Sequence, residues 1–135
     1  MNLLNPISDR KEILSISILG LAHLGDCVYE LMVRTNLTLS SHTHACDLHR
    51  CTVKAVNAAA QADGVKKVLS FLSEDEMAVY KRGRNAKVNS IPHNASLDDY
   101  HSATGLEALF GWLYLQGMND RLNFLFKKMF DIEDY

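Results

Sequence analysis

Apolar residues recur at intervals of three and four along most of this chain, which is the period of an amphipathic helix. The clearest run lies in residues 15–36, and its apolar positions include Ile18, Leu21, Leu24, Val28 and Leu31. Gly20 and Gly25 lie inside this run, and each costs up to ~1 kcal/mol of helix stability relative to alanine. A helix that carries two glycines usually has another element packed closely against it, so we expect a close contact there.

The other segments also show helical periodicity or helix-capping residues. Further helices are predicted over residues 44–62, over residues 65–71, from the capping-box sequence at 73–76, from residues 96–99 to Gly117, and over residues 120–130. Predicted loops are residues 35–43, a break at Gly64, and the polar segment that contains Gly83, Asn85, Asn89 and Pro92. No segment of the sequence sustains period-two alternation. We therefore predict an all-α protein of about six helices, in a single domain over residues 1–135.

Composition excludes several classes of protein. With 47% hydrophobic and 22% charged residues, the 135-residue chain has the composition of a globular domain rather than a disordered one. The 14 basic and 16 acidic residues give a net charge of −2, so a nucleic-acid-binding surface has to be local. Three cysteines, an odd count, are typical of a reducing compartment, and we expect a cytoplasmic protein. The apolar run 13–24 is too short and too polar to span a membrane and lacks a signal-peptide cleavage site, so we predict no membrane contact.

Two carboxylates interrupt apolar helical segments. Asp26 follows Gly25, and Glu107 lies two residues after Gly105. Burying an unpaired carboxylate is costly, so each of them has to pair with a cation, accept hydrogen bonds or bind a metal ion. From this pattern, a pair of buried salt bridges and a metal or catalytic site both remain open.

A basic segment at residues 81–87 is the second candidate site. Four of its seven residues are Lys or Arg and none is acidic. In a polar loop, arginine offers a bidentate fork to phosphate and lysine offers a point charge, which suits contacts with a nucleic-acid backbone. A solvated loop without a ligand is the alternative.

Residues 42–51 contain a third cluster, made of His42, His44, Cys46, His49 and Cys51. Its Cys-x4-Cys spacing is not that of a zinc knuckle, and no second ligand cluster completes a tetrahedral site. On a helix the two cysteines would point about 140° apart. We predict ordinary core and surface side chains here, with a zinc-binding helical regulator as the alternative.

Three motifs together resemble one known family. Residues 21–31, with Leu-Gly-Asp at 24–26, resemble the signature helix of the ribonuclease III domain, and residues 100–114 resemble its second acidic helix. The basic segment resembles a loop of the compact Mini-ribonuclease III subfamily, and the whole match covers about residues 5–130. Two carboxylates usual in ribonuclease III are replaced by Ala22 and Thr104, and we expect no appended double-stranded-RNA-binding domain. The Mini subfamily is similar in all three respects.

The resemblance implies a ribonuclease III fold in a two-fold homodimer that cleaves double-stranded RNA, with ribosomal RNA precursor as the substrate. It implies an endoribonuclease that depends on Mg²⁺, with Mn²⁺ as a substitute, and leaves 5′-phosphate and 3′-hydroxyl ends. The residues it implies are Asp26 and Glu107 for metal binding and catalysis, and Lys81, Arg82, Arg84, Asn85, Lys87 and Thr104 for RNA binding, Thr104 also through a metal-bound water. A catalytically inactive ribonuclease III fold that binds RNA or the ribosome is the alternative, because two acidic positions are missing.

Overall fold

The computed structural model describes residues 1–41, 45–87 and 96–133, and every regular element in these ranges is helical. The all-α prediction is confirmed, with seven α-helices there rather than about six. They are α1 (Arg10–Leu14), α2 (Ile18–Ser41), α3 (Ala45–Val56), α4 (Ala58–Val68), α5 (Glu74–Arg84), α6 (Leu97–Leu115) and α7 (Asn119–Met129), with a 3-10 turn at Leu69–Phe71. No helix in the described part of the chain is both long enough and apolar enough to cross a membrane.

Helix α6 is the centre of the fold. It packs against α2, α4, α5 and α7, and α2 covers more of it than any other helix does. Almost every residue between 103 and 113 is buried, and Glu107 is the exception. A helix that is apolar on all sides has to be surrounded by other elements, and this explains why the remaining helices are arranged around it.

The predicted helix ends at capping residues are confirmed. At the start of α5 the Ser73 hydroxyl accepts from the Glu76 backbone N–H, and the Glu76 carboxylate accepts from the Ser73 N–H. The Ser96 hydroxyl accepts from the Asp99 N–H at the start of α6. Gly117, with φ of +71°, lies in the left-handed region that ends this helix.

Two predicted helix boundaries are wrong. Helix α2 continues to Ser41 through the predicted loop, and the hydroxyls of Thr35 and Ser40 donate to carbonyl oxygens four residues earlier. These hydroxyls are therefore satisfied inside the helix. The predicted helix 44–62 is divided at Asn57, whose side chain accepts from the Ala60 N–H and starts a new helix.

Two predicted glycine breaks are also wrong, because both glycines lie inside helices at close contacts. A Cβ atom on Gly64, inside α4, would lie 2.4 Å from Cε of Met129. A Cβ on Gly83, inside α5, would lie 2.8 Å from the Gly105 Cα atom of α6. Residues 81–84 of the basic segment are therefore the last turn of α5, and residues 85–87 follow it. Asn89 and Pro92, predicted in the same loop, lie outside the described residues.

Helix α2 also carries exposed apolar side chains. Leu19, Leu31 and Leu39 are 42%, 58% and 72% exposed, so this helix leaves three large apolar side chains in water. Two further exposed apolar residues, Leu3 and Leu4, belong to the N-terminal segment. That segment is held on the C-terminal part of α6, where Tyr114 Oη donates to the carbonyl oxygen of Leu3.

Candidate active site between helices α2 and α6

Two glycines bring the backbones of α2 and α6 into contact. A Cβ atom on Gly25 would lie 1.6 Å from the carbonyl oxygen of Glu107, and one on Gly111 would lie 2.1 Å from the carbonyl oxygen of Leu21. The expected close contact is thus confirmed at Gly25. It is not found at Gly20, where a Cβ would meet only atoms of the preceding turn. Because neither Gly25 nor Gly111 has a side chain, the residues beside them on the two helices are held close together.

This contact places the carboxyl groups of Asp26 and Glu107 against each other. Asp26 is exposed and Glu107 is half-buried, so the expectation that both are buried is wrong for Asp26. Burial, the negative charge of Asp26 and a hydrogen bond with it raise the pKa of Glu107 to about 9. In the described part of the chain, neither carboxylate takes part in an ion pair. The two carboxyl groups meet without a cation and share a proton that Glu107 holds, which contradicts the interpretation as a pair of buried salt bridges.

Tyr29 completes the inner side of this site and was not predicted. It lies one turn after Asp26 on α2 and is fully buried, and its hydroxyl donates to the carbonyl oxygen of Ala55, 2.9 Å away. Burial and the charge of Glu107 both raise the pKa of this hydroxyl, so Tyr29 stays neutral beside the carboxylates. The i, i+3 spacing from Asp26 was the available signal, but an apolar helix offers many residues at that spacing.

The two positions where acidic residues are missing lie in the helix interface. Ala22 is 6% exposed and Thr104 is 5% exposed. The Thr104 hydroxyl donates to the carbonyl oxygen of Tyr100, 3.0 Å away in the preceding turn. Its donor is therefore used inside α6, while its oxygen can still accept a hydrogen bond.

The basic segment lies at the end of α5, which packs against α6 at Thr104, Gly105 and Ala108. Its predicted RNA-binding side chains are all exposed, and they are Lys81, Arg82, Arg84, Asn85 and Lys87. Within the described ranges none of the four cations among them forms an ion pair with a carboxylate. The guanidinium of Arg84 lies over the Tyr80 ring, 5.8 Å from its centroid. These cations are therefore exposed and available to an anionic ligand.

Most of the histidine–cysteine cluster lies outside the described residues. His42 and His44 are not described, and neither is the Cys46 side chain. His49 and Cys51 are exposed on α3, and Cys51 is a free thiol. No group of three potential metal-ligating side chains of the His, Cys, Asp or Glu type is found among the residues that are described.

Comparison with known protein families identifies this fold. A model of the ribonuclease III domain matches residues 19–118, a range that includes both carboxylates and the glycines of the crossing. A crystal structure of a protein from Fusobacterium nucleatum is similar, with a TM-score of 0.80 and 29% sequence identity, covering 89% of this chain and 96% of that one. The family match and the helical fold together define a ribonuclease III domain.

Similar proteins with assigned names identify the subfamily within the ribonuclease III domain class. Mini-ribonuclease 3 of a Thermoanaerobacter species is 44% identical over 113 residues, which are 84% of this chain and 80% of that protein. Mini-ribonuclease 3 of Symbiobacterium thermophilum is 41% identical over 123 residues, which are 91% of this chain and 89% of that protein. The chain belongs to the Mini-ribonuclease 3 family. It is therefore an endoribonuclease of the divalent-metal-dependent type that acts on double-stranded RNA, and the catalytically inactive alternative is not favoured.

Proposed function

We propose that Asp26 and Glu107 form the catalytic centre of this endoribonuclease and hold Mg²⁺, with Mn²⁺ as a substitute. One observation carries the proposal: two carboxyl groups face each other at a backbone contact between α2 and α6, and neither pairs with a cation in the described residues. A cation that binds both carboxyl groups would displace the proton they share and balance the negative charge of both.

The donor set fits this metal. Mg²⁺ prefers hard oxygen ligands and is usually held by one or two carboxylates, with waters and substrate phosphate oxygens at its other positions. Asp26 is exposed and reaches solvent and substrate, whereas Glu107 is half-buried behind it. With Ala22 and Thr104 at the two other positions, this chain offers two carboxylates rather than four, which supports one tightly held ion for each site.

Asp26, Glu107 and Tyr29 have separate roles in hydrolysis of the RNA backbone. A metal ion held by Asp26 and Glu107 would supply an activated water as the nucleophile and would stabilise the charge that develops on the leaving 3′-oxygen. Asp26 and Glu107 fix its position, and Tyr29 excludes water from the inner side of Glu107 while it anchors α2 to α3. Attack at phosphorus breaks the bond to the 3′-oxygen and leaves 5′-phosphate and 3′-hydroxyl ends.

The substrate contacts proposed here follow from charge and exposure. Lys81, Arg82, Arg84, Asn85 and Lys87 would bind phosphates of the duplex, which carry no sequence information. Thr104 would accept a hydrogen bond from a water near the metal, although its buried position makes it the weakest member of the predicted set.

We propose a two-fold homodimer whose interface includes exposed leucines of α2. The exposure of Leu19 and Leu31 supports the idea, because large apolar side chains left in water favour association. A two-fold axis also matches the antiparallel strands of a duplex, with one catalytic centre for each strand. Ribosomal RNA precursor in the cytoplasm is the substrate that we propose for this activity.

The test is cleavage of a long RNA duplex in Mg²⁺ by the wild-type protein and by Asp26→Asn and Glu107→Gln. Both variants keep the size of the side chain but lose the charge that holds the metal, so we expect cleavage to be abolished or nearly so. Asp63→Asn, at an exposed residue of α4, is the matched control and should cleave normally.

Melting temperature in EDTA separates catalysis from folding. Replacing one member of a crowded carboxyl pair with an amide of the same size should leave the melting temperature unchanged or raise it. A structural ion pair would instead cost about 3–5 kcal/mol when one partner is removed. The catalytic assignment is wrong if Asp26→Asn still cleaves RNA. It is also wrong if the melting temperature falls strongly and the activity follows the folded fraction.

A further inference from the structure

A polar pocket lies beside the basic segment, where α5 ends and α6 begins. Its lining in the described part of the chain is made of Arg84, Asn85, Asp98, His101 and Ser102. All five are polar or charged, and we call this cavity the α5–α6 pocket. Only Arg84 and Asn85 belong to the basic segment, so the other three side chains have no role in the function proposed above.

The two walls of the pocket are fixed relative to each other. A Cβ atom on Gly105 would lie 2.7 Å from the carbonyl oxygen of Tyr80, and Gly83 is equally close to the Gly105 backbone. Helices α5 and α6 are therefore in backbone contact directly beside the pocket. Because Arg84 is also stacked on the Tyr80 ring, its position relative to α6 is preorganised.

His101 has an unused hydrogen-bonding atom at this place. Its Nδ1 is buried and has no hydrogen-bond partner among the described residues. The imidazole packs edge-to-face against Tyr100, with 6.1 Å between the ring centroids. A buried polar atom without a partner is costly, so a group that supplied a hydrogen bond to the His101 imidazole would be favoured here.

The charges of the lining restrict the chemistry of that ligand. Arg84 suits an anion such as phosphate, and Asn85 adds a neutral donor. The Asp98 carboxylate would repel a ligand that carried only negative charge, but it accepts a hydrogen bond from a hydroxyl. A ligand with a phosphate at one end and a neutral hydroxyl at the other satisfies both walls.

We propose that the α5–α6 pocket binds one ribonucleotide unit of the duplex backbone, with the phosphate on Arg84 and Asn85 and the ribose 2′-hydroxyl on Asp98, His101 and Ser102. The 2′-hydroxyl is both donor and acceptor, and it is the group that distinguishes RNA from DNA. The pocket thereby selects the sugar of the substrate at a point separate from the catalytic carboxylates. This inference rests on the proposed duplex-RNA function and names how that substrate is recognised.

The test measures binding in EDTA, so that cleavage does not interfere. One probe is an RNA duplex, and the other is the same duplex with 2′-fluoro groups, which removes the hydroxyl donor but keeps the A-form sugar pucker. His101→Phe keeps the ring against Tyr100 and loses both nitrogens, and Ser102→Ala is a second, smaller change. His49→Phe is the matched control, since His49 is exposed on α3 and lines a different cleft.

We expect the wild-type protein to bind the RNA duplex about three- to tenfold more tightly than the 2′-fluoro duplex, which is the range for one or two hydrogen bonds. His101→Phe should lose most of this preference by weakening RNA binding alone, and Ser102→Ala should change it in the same direction. The control should keep the wild-type preference. Melting temperatures of the variants establish that each is folded.

Two kinds of failure are distinguishable. If His101→Phe and Ser102→Ala are folded and bind both duplexes with the wild-type ratio of affinities, the pocket does not read the sugar and the inference is wrong. Equal weakening of both duplexes would also overturn it, because that result indicates a phosphate contact. If the wild-type protein neither binds nor cleaves the RNA duplex, the proposed function itself fails.

Discussion

Replacing Gly25 with alanine tests the helix contact on which the active site depends. The added Cβ would lie 1.6 Å from the carbonyl oxygen of Glu107, 2.6 Å from its carbonyl carbon and 2.7 Å from the backbone nitrogen of Gly111. All three atoms belong to the backbone, so no side-chain rotation relieves the clash. Since Cβ atoms essentially never come within 3.0 Å of such an atom, the gap has to open from 1.6 to at least 3.0 Å, a separation of about 1.4 Å.

The energy follows from this separation. A radial gap of 0.5–1 Å already forfeits about a quarter to a half of a dispersion contact, and overpacking a core typically costs about 1–3 kcal/mol. At 1.4 Å we expect the upper end, about 3 kcal/mol, offset by the ~1 kcal/mol that alanine gains over glycine in a helix. The net loss of about 2 kcal/mol lowers the melting temperature of a domain this size by about 8 °C.

Thermal melts and a duplex-cleavage assay in Mg²⁺ measure both consequences. Cleavage by folded Gly25→Ala should fall by about 10²-fold, since a misplacement of about 1 Å has that effect on a catalytic centre. Gly20→Ala is the control, because its Cβ meets only the Ser17 and Ile16 side chains, at 3.0 and 3.3 Å, and we expect a change within about 1 kcal/mol.

Gly111 provides a second test of the contact between α2 and α6. Gly111→Ala should also destabilise the protein, because its Cβ would lie 2.1 Å from the carbonyl oxygen of Leu21. The same separation of α2 and α6 relieves both clashes, so the double variant should lose less stability than the two single losses added together. Wild-type stability and activity in Gly25→Ala would mean that the two backbones do not touch there.

Three further predictions concern pH, RNA binding and assembly. The pKa of Glu107 is raised from 4.5 to about 9, so between these pH values the folded metal-free protein holds a proton that the unfolded chain releases. The free energy of unfolding should therefore fall as pH rises from about 4.5 to about 9. Urea melts in EDTA should show a flatter pH dependence for Glu107→Gln. Changing Arg82, Arg84 and Lys87 to alanine should weaken binding to all RNA duplexes. The slope of log affinity against log salt concentration should fall by about one for each phosphate that is no longer neutralised. If the wild type and the variant each bind equally tightly at about 50 and 200 mM salt, the segment does not bind phosphate. Light scattering at micromolar concentration should give a dimer for the wild type and a monomer for Leu31→Lys, and a monomeric wild type would count against the two-fold arrangement.

Much of the candidate site could be predicted from the sequence because its signals are local. A carboxylate beside or near a glycine in an apolar helix is visible at Asp26 and at Glu107, and the cations of the basic segment are adjacent in the chain. The sequence did not show which group each carboxylate contacts, and a salt bridge fitted its position in an apolar helix equally well. Tyr29 and His101 could not be singled out, because their roles depend on atoms from distant parts of the chain.

Local sequence was sufficient for the all-helical class, the capped starts of α5 and α6 and the end of α6 at Gly117, because periodicity, capping and a left-handed turn are interactions over a few residues. It was not sufficient to locate the end of α2, since hydroxyl side chains that favour loops are also satisfied by bonding back inside a helix. The role of the glycines depends on the packing of the helices. Gly64 and Gly83 are of the residue type that usually ends a helix, yet both lie inside helices, where an added Cβ would meet Met129 and Gly105 respectively. In the same way, Asp26 and Glu107 face each other only through the contact of α2 with α6. Two carboxyl groups 81 positions apart in the chain affect each other's pKa only when the fold brings them together.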